Sequence, residues 1–157
     1  MSNHQADMLR IAVLGGDLSG QTWLALPPTH LPHKQLKKLA PGVLIEGFDP
    51  LRMRLVRDGE VIARAKLGHV GGQETLHIVA SDSTPYASKR LPSKHALLEA
   101  RLRVLGDRTY AVGEVVTFDD PLTGSIVLVA DGVPVATGEI VEYADDVLVR
   151  IVQVLHG

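Results

Sequence analysis

Two histidines in the stretch His30-Leu31-Pro32-His33 are close enough in sequence to present two imidazoles to one metal ion. A structural or catalytic zinc site needs three or four nitrogen, sulfur or carboxylate ligands. The other five of the seven histidines are scattered singly, and the chain has no cysteine. No third ligand is evident, so the sequence predicts surface or helix-capping histidines and no metal site.

Two pairs of neighbouring carboxylates, Asp119-Asp120 and Asp145-Asp146, could in principle act as a general acid and a general base. Neighbours along a strand point to opposite faces, and both pairs read as turns. Neither pair is therefore expected to converge on a substrate.

A glycine-rich stretch, "VLGGDLSG" from Val13 to Gly20, has some features of a dinucleotide-binding loop. Such a loop opens a helix, yet Pro27-Pro28 follows soon after Gly20. Ser19 lacks the glycine two places upstream that a nucleophile elbow uses for its sharp turn. The sequence thus predicts no cofactor, no catalytic residue and no enzyme.

Composition limits the other classes of function. The chain has 157 residues, is 45% hydrophobic and carries a net charge of -2, so it can build a core but has no overall basic field for nucleic acid. The basic run at 33–38 reads as a solvated helix face. No apolar stretch approaches the roughly 20 residues of a membrane span, and no signal-peptide pattern is present at the N-terminus. With no cysteine, these features favour a cytoplasmic protein without direct membrane insertion.

An internal duplication organises the chain. "GVLIEGFDPL" at 42–51 matches "GEVVTFDDPL" at 113–122, an offset of 71 positions. Beyond it, Asp58-Gly59 matches Asp131-Gly132 and Ile78-Val79 matches Ile151-Val152, an offset of 73. The change of offset predicts a two-residue insertion near Thr123-Gly124, where a turn would tolerate it.

Alternation with period two, broken by glycine and Asp-Gly turns, predicts a mostly β fold. Leu51, Met53 and Leu55 fall on one face of a predicted strand. Arg52 and Arg54 fall on the other, as in a strand covered on one side only. The equivalent strand at 125–130 is apolar on both faces and should be covered on both sides. Further strands are predicted at 8–14, 61–67, 75–79, 97–105, 133–141 and 147–154.

Three segments follow from this pattern: a first domain at 8–79, a serine- and proline-rich linker at 80–95 and a second domain at 96–155. One short helix is expected near 33–40, which the second copy has no room to repeat. A unit of about 70 residues is only marginally stable alone, so the two halves should intertwine around one core. We expect Ile126, Leu128, Val149 and Ile151 in that core or dimer interface.

The residues "GEVV" at 113–116, Asp131-Gly132, "GEIV" at 138–141 and Val149-Arg150-Ile151 resemble the SpoA (surface presentation of antigens) domain. That domain occurs in flagellar motor switch proteins and in the cytoplasmic ring, or sorting platform, of type III secretion systems. The first copy resembles a more diverged SpoA domain. The tandem resembles the C-terminal part of the secretion-ring protein.

The resemblance implies intertwined small β-barrel-like units that pair as homo- or heterodimers. It implies a structural scaffold, cytoplasmic and peripheral to the inner-membrane secretion apparatus, that supports recruitment of cargo for export. Its implied partners are the stator subunit of the export ATPase, other SpoA domains and other ring subunits. The family's stator-binding strand corresponds to Ile140 and Val141, with Glu142 standing where the family has an apolar residue. We expect the protein-binding surface to include Ile140, Val141, Tyr143 and Leu67.

Two alternatives remain. The chain could serve a flagellar motor switch, or it could be a small ligand-binding β-barrel module. The second would need an apolar cavity with a few convergent polar groups, for which the sequence shows no polar cluster.

Overall fold

The computed structural model describes residues 3–49, 51–87, 90–119, 121–122, 126–143 and 146–155, with side chains described from Met8 onward except that of Tyr143. The predicted insertion near Thr123-Gly124 lies outside these residues, as do Asp120 and Asp145. The mostly β prediction is confirmed, because strands dominate and join in one antiparallel sheet.

Two helices and eleven strands make up the described part of the chain. In order they are α1 Asn3–Leu14, β1 Thr22–Ala25, β2 Thr29–Pro32, α2 His33–Leu36, β3 Leu44–Ile45, β4 Met53–Arg57, β5 Glu60–Val70, β6 Gln73–Pro85, β7 His95–Gly106, β8 Val115–Thr117, β9 Ile126–Ala130, β10 Val133–Tyr143 and β11 Asp146–Val154. The expected helix near 33–40 is present as the single turn α2.

The strand order in the sheet is symmetric with respect to the two copies. It runs β3-β11-β10-β9-β7-β1-β4-β5-β6-β8, and β2 also pairs with β7. Each strand has a counterpart in the other copy: β3 and β8, β4 and β9, β5 and β10, β6 and β11, β1 and β7. If every strand is replaced by its counterpart, the same strand order results, read from the opposite edge of the sheet. The two copies therefore have the same strand order and are related by a pseudo-twofold arrangement.

Residue-level pairing repeats with the offset read from the sequence. Leu67 pairs with Leu76 in the first copy, and Ile140 pairs with Val149 in the second, each shifted by 73. Met53 pairs with Ala65, and Ile126 pairs with Gly138 at the same shift. The register shift between Arg64 and Ala65 recurs between Thr137 and Gly138, which indicates that these parts of the two copies share register as well as topology.

The two Asp-Gly turns are equivalent. Asp58 and Gly59 have φ of 49° and 80°, and Asp131 and Gly132 have φ of 47° and 83°. Positive φ at both central residues is the type I′ geometry that suits the twist of a two-residue hairpin. The superposition expected from the shared offsets is borne out at these turns.

The short strands β3 and β8 are exchanged between the copies. β3 of the first copy pairs with β11 of the second, and β8 of the second pairs with β6 of the first. Gly42 donates its backbone N–H to the Ile151 carbonyl at 2.8 Å, and Gly113 donates to the Ile78 carbonyl at 2.8 Å. Each copy thus supplies the edge strand that completes the other.

One large core contains residues of both copies. Leu24, Met53, Leu55 and Leu76 come from the first, and buried residues of β7, β9 and β11 come from the second. Shared burial explains how two units with few aromatic residues can be stable together. Leu51, expected on the same face as Met53 and Leu55, instead precedes β4 and is 65% exposed.

The strand expected at 8–14 is wrong, because these residues lie in helix α1. Ile11 and Leu14, three residues apart, pack on Val127 and Val129 of β9. Residues three or four apart share one side of a helix, so a short apolar run fits a helix as well as a strand. The second covered face predicted for the strand at 125–130 is the face beneath α1.

The counterpart of β7 is therefore the pair β1 and β2. Leu24 pairs with Arg103 of β7 and His30 pairs with Leu97, so β1 and β2 follow β7 on either side of Pro27-Pro28. Proline cannot donate to a ladder and interrupts the strand there. The segment 80–95, expected as a linker, contributes its first six residues to β6 and His95 to β7; Ser88 and Lys89 lie outside the described residues.

Leu128→Ala should reduce the free energy of unfolding by about 2 to 5 kcal/mol, the range for buried leucines. Leu128 is fully buried and lies between Ala100 and Ala136 on the neighbouring strands. The side chains of these two alanines are too short to fill the cavity that the substitution would leave. Chemical denaturation measures the change. Val133→Ala, at a position 56% exposed, is the control and should cost less than about 0.5 kcal/mol. Equal losses at both positions would contradict the burial of β9.

Gly42→Ala and Gly113→Ala should each reduce the unfolding free energy by about 1 kcal/mol or more, because alanine disfavours positive φ. The φ values are 92° and 90°, and an added Cβ would meet no atom within 4 Å at either site. The cost should therefore be purely conformational and similar in the two variants. A large loss at one site with none at the other would argue against equivalent strand exchange.

Candidate partner-binding surface

Leu67 and Ile140, two of the expected binding residues, occupy the same position in the two copies. Each is half-buried and packs against the large core. Their strand partners Leu76 and Val149 are fully buried. Both side chains therefore point inward and mainly stabilise the fold.

Val141 points the other way, since successive strand residues alternate between faces. It is half-buried, lies outside the core clusters and stands directly opposite Leu148 of β11. Val152, 49% exposed, alternates with the buried Val149 and Ile151 along the same strand as Leu148. We call Val141, Leu148 and Val152 the outer apolar patch.

One ion pair crosses this surface. Glu139 and Arg150 stand opposite each other on β10 and β11, and the Arg150 guanidinium donates to the Glu139 carboxylate. The pair neutralises both charges on the strands that carry the patch. An apolar segment could therefore lie over these strands without meeting an isolated charge.

The first copy does not repeat the patch. Gly68, Thr75 and Val79 stand where the second copy has Val141, Leu148 and Val152, by the offset of 73. Thr75 Oγ1 lies 3.0 Å from Nε2 of His77, and a Cβ on Gly68 would come within 2.6 Å of the same nitrogen. The imidazole thus occupies the space in which a larger apolar side chain would lie.

Tyr143 ends β10 and pairs with Asp146, but its side chain is not among those described. Glu142, beside it, is exposed and stands opposite Val147. The outer apolar patch therefore depends on Val141 and on two residues of β11 that sequence reasoning missed. These two residues, Leu148 and Val152, could have been found from the pairing register of β10 with β11, which matches that of β5 with β6 at the offset of 73.

The residues expected in the core or dimer interface are brought together. Ile126, Leu128, Val149 and Ile151 are buried and belong to the large core. They come from β9 and β11, with β10 between these strands. Their position leaves none of them free for a partner protein.

His30 and His33 do not form a pair. Nδ1 of His30 lies 2.7 Å from Nδ1 of His95, because β2 runs antiparallel to β7, whereas His33 begins α2 and is exposed. One ring must donate and the other accept at this contact. Within the described residues, no group of three or more histidine, aspartate or glutamate side chains is arranged to hold a metal ion.

A cavity of about 370 Å³ lies beside this histidine pair, a volume within the range of small-molecule sites. Its lining is largely apolar, from Leu31, Leu39, Val43 and neighbours, with Lys38 and Glu46 as charged members. Helix α2, which has no counterpart in the described residues of the second copy, forms one wall. The sequence offered no sign of this cavity, because His95 meets His30 only through the pairing of β2 with β7.

No protein-family model matches the chain, and no curated protein matches it. No helix in the described residues is long and apolar enough to cross a membrane.

Ile140→Asp should unfold the protein or lower its melting temperature strongly, because a carboxylate would enter the core without a partner. Val141→Asp places the same charge on the outward face, where water can solvate it, and should leave melting nearly unchanged. Thermal denaturation by circular dichroism distinguishes the two variants. If Val141→Asp is the more damaging, the assignment of the two faces is reversed.

Proposed function

We propose that this chain is a structural scaffold of a type III secretion cytoplasmic ring, or sorting platform, and that it binds the stator subunit of the export ATPase. The observation that carries the proposal is the reciprocal exchange of β3 and β8. Intertwined pairing of two units is what a resemblance to SpoA domains implies. Here the two units belong to one chain.

The exchange favours a scaffold over a catalytic role because it supplies rigidity. A continuous sheet with one shared core presents its outward faces on strands, and sites on strands are held more precisely than sites on loops. A ring subunit must hold several partners at once. Other SpoA-type domains and other ring subunits are the further partners in this proposal, at the cytoplasmic side of the inner membrane.

The outer apolar patch is the proposed stator site. Its members are exposed enough to be reached, lie on two adjacent strands and flank a neutralised ion pair. A short segment from the stator's N-terminal region could bury these apolar surfaces on docking, which is the main source of affinity in small interfaces. Within the family pattern, Val141 is the member of the predicted pair that remains available, since Ile140 packs inward.

A role in the flagellar motor switch is the alternative within the same family, and it would use the same strand exchange. A ligand-binding module is a second candidate, favoured by the cavity beside His30 and His95. The cavity's few charged groups could orient a small polar ligand. Loss of stator binding on mutation of the patch, with the cavity intact, would favour the scaffold.

Val141→Asp should abolish binding of the stator's N-terminal segment, because an apolar partner would then have to desolvate a carboxylate. Isothermal titration calorimetry measures the binding, and thermal melting checks the fold. Val79→Asp is the matched control: Val79 is the first-copy counterpart of Val152 and is 44% exposed.

Val79→Asp should bind the stator segment as the unmodified chain does. If both variants bind normally, the stator site is elsewhere. If Val141→Asp and Val79→Asp lose binding equally, the loss is caused by the added negative charge and does not locate the stator site at the outer apolar patch.

A further inference from the structure

A row of basic side chains lies on the outward face of the first copy's strands. Its members alternate with buried residues along β4, β5 and β6, and one member directly precedes β4. We call this set the cationic face: Arg52, Arg54, Arg64, Lys66 and His77.

Two of these arginines oppose each other directly. Arg54 of β4 and Arg64 of β5 are partners in the antiparallel register. Like charges at directly opposite positions destabilise a sheet. Partial burial lowers the pKa of the Arg54 guanidinium, and the neighbouring Arg64 and Arg52 lower it further, although an arginine remains charged.

Nearby carboxylates compensate only part of this charge. Arg64 Nε donates to Asp82 at 2.7 Å, and Arg52 Nε lies 3.7 Å from Asp49. In the part of the chain that the structure describes, no carboxylate lies within ion-pair distance of Arg54 or Lys66. Arg54 Nη1 donates to the Met53 carbonyl at 3.1 Å, which leaves further N–H donors of its fork available.

The fold itself does not require these charges, because the second copy forms the same strands without them. Val127 stands in place of Arg54, and Thr137 in place of Arg64. Glu139 and Arg150, in place of Lys66 and His77, form an ion pair. Identical register with neutral or paired residues argues that the cationic face has a role other than stability.

We propose that the cationic face binds an acidic, extended segment of a partner protein. Neighbouring strands lie about 4.8 Å apart, and alternate residues of one strand are about 6.8 Å apart. This grid matches the carboxylate spacing of an extended acidic peptide. Arginine binds carboxylates through two parallel hydrogen bonds, so Arg54 and Arg64 are the residues that select acidic side chains.

An acidic protein segment fits better than nucleic acid. The whole chain has a net charge of -2, so beyond this face there is no general attraction for a long polyanion. None of the five members of the cationic face is a tryptophan, tyrosine or phenylalanine, and its one ring, the imidazole of His77, lies with Nε2 3.0 Å from Thr75 Oγ1. This surface lies on the first copy and is separate from the outer apolar patch of the second, so it adds a binding site to the one proposed above.

The test uses the full chain and a dye-labelled dodecapeptide of alternating glutamate and serine, followed by fluorescence anisotropy at about 0.15 M salt, where the Debye length is about 8 Å. A matched peptide with glutamine in place of glutamate should bind far more weakly. The double variant Arg54→Gln/Arg64→Gln should raise the Kd for the acidic peptide about tenfold, as expected for the loss of two charge-assisted contacts.

Lys34→Gln/Lys37→Gln, on the exposed surface at and just beyond α2, is the charge-matched control. It removes the same net charge and should change the Kd by less than about twofold, since charges beyond a Debye length are largely screened. A loss equal to that of the arginine variant would overturn the proposal, because binding would then depend on net charge alone.

Arg54→Gln alone should keep or raise the melting temperature, because it removes a like-charge pair. Lys66→Gln, at an exposed position, is the second variant and should weaken the acidic peptide without affecting melting. The proposal fails if the glutamine peptide binds as tightly as the acidic one. It fails equally if an oligodeoxythymidine of the same length binds more tightly than the acidic peptide and loses that binding in the arginine variant.

Discussion

The structure depends on two short backbone ladders that cross between the copies. Gly42 and Ile151 are joined on one side, Gly113 and Ile78 on the other, and Ile151 and Ile78 donate in return to the carbonyls of Val43 and Glu114. Unpaired backbone groups at a sheet edge are costly if buried and hazardous if exposed. Because each copy satisfies the other's edge, neither copy can leave the assembly without opening both ladders. The pairing of β1 and β2 with β7 also joins the copies, and one core forms between them.

The chain then uses the two halves of a symmetric frame for different purposes. The outward face of β9 carries Val127 and Val129 and is covered by α1. Arg101 holds this helix in place: its guanidinium donates to the Leu14 carbonyl at 2.7 Å and lies 4.9 Å from the centre of the Trp23 ring. Glu99, whose carboxyl pKa is raised by burial and lowered in part by Arg101, accepts from the same guanidinium.

In the first copy, the position equivalent to Val127 carries Arg54, opposite Arg64 of β5, and the position equivalent to Val129 carries Val56, which packs with Trp23 and Tyr86. On β10 and β11 of the second copy, Val141 and Leu148 likewise correspond to Gly68 and Thr75 in the first copy, whereas Val152 corresponds to Val79. Duplication thus supplied two copies of one scaffold, and substitution on the outward positions made the surfaces chemically different. Inward positions changed little in character, since one core has to accept residues from both copies.

Much of this could be predicted because the signals are local. Alternation and the two Asp-Gly turns depend on neighbouring residues, so the sequence by itself determined the hairpin strands on either side of each turn, and the offsets of 71 and 73 determined the duplication. It did not predict β1 or β2, and residues 80–85, expected in a linker, extend β6. The choice between Ile140 and Val141 was left open by alternation alone, because either could face inward until the core had a position. The helix at 3–14 could not be distinguished from a strand, since its apolar run fits both and only Val127 and Val129 give it a surface to cover.

Only the tertiary structure decided where β3 and β8 pair. The edges of β6 and β11 offer the same register to either strand, so local chemistry does not distinguish pairing within a copy from exchange between copies. The same applies to the contact of His30 with His95 and to the meeting of Arg54 with Arg64, which lie on different strands. Contacts between residues distant in sequence depend on which strands become neighbours, and that is set by the burial of the whole core and not by any local stretch.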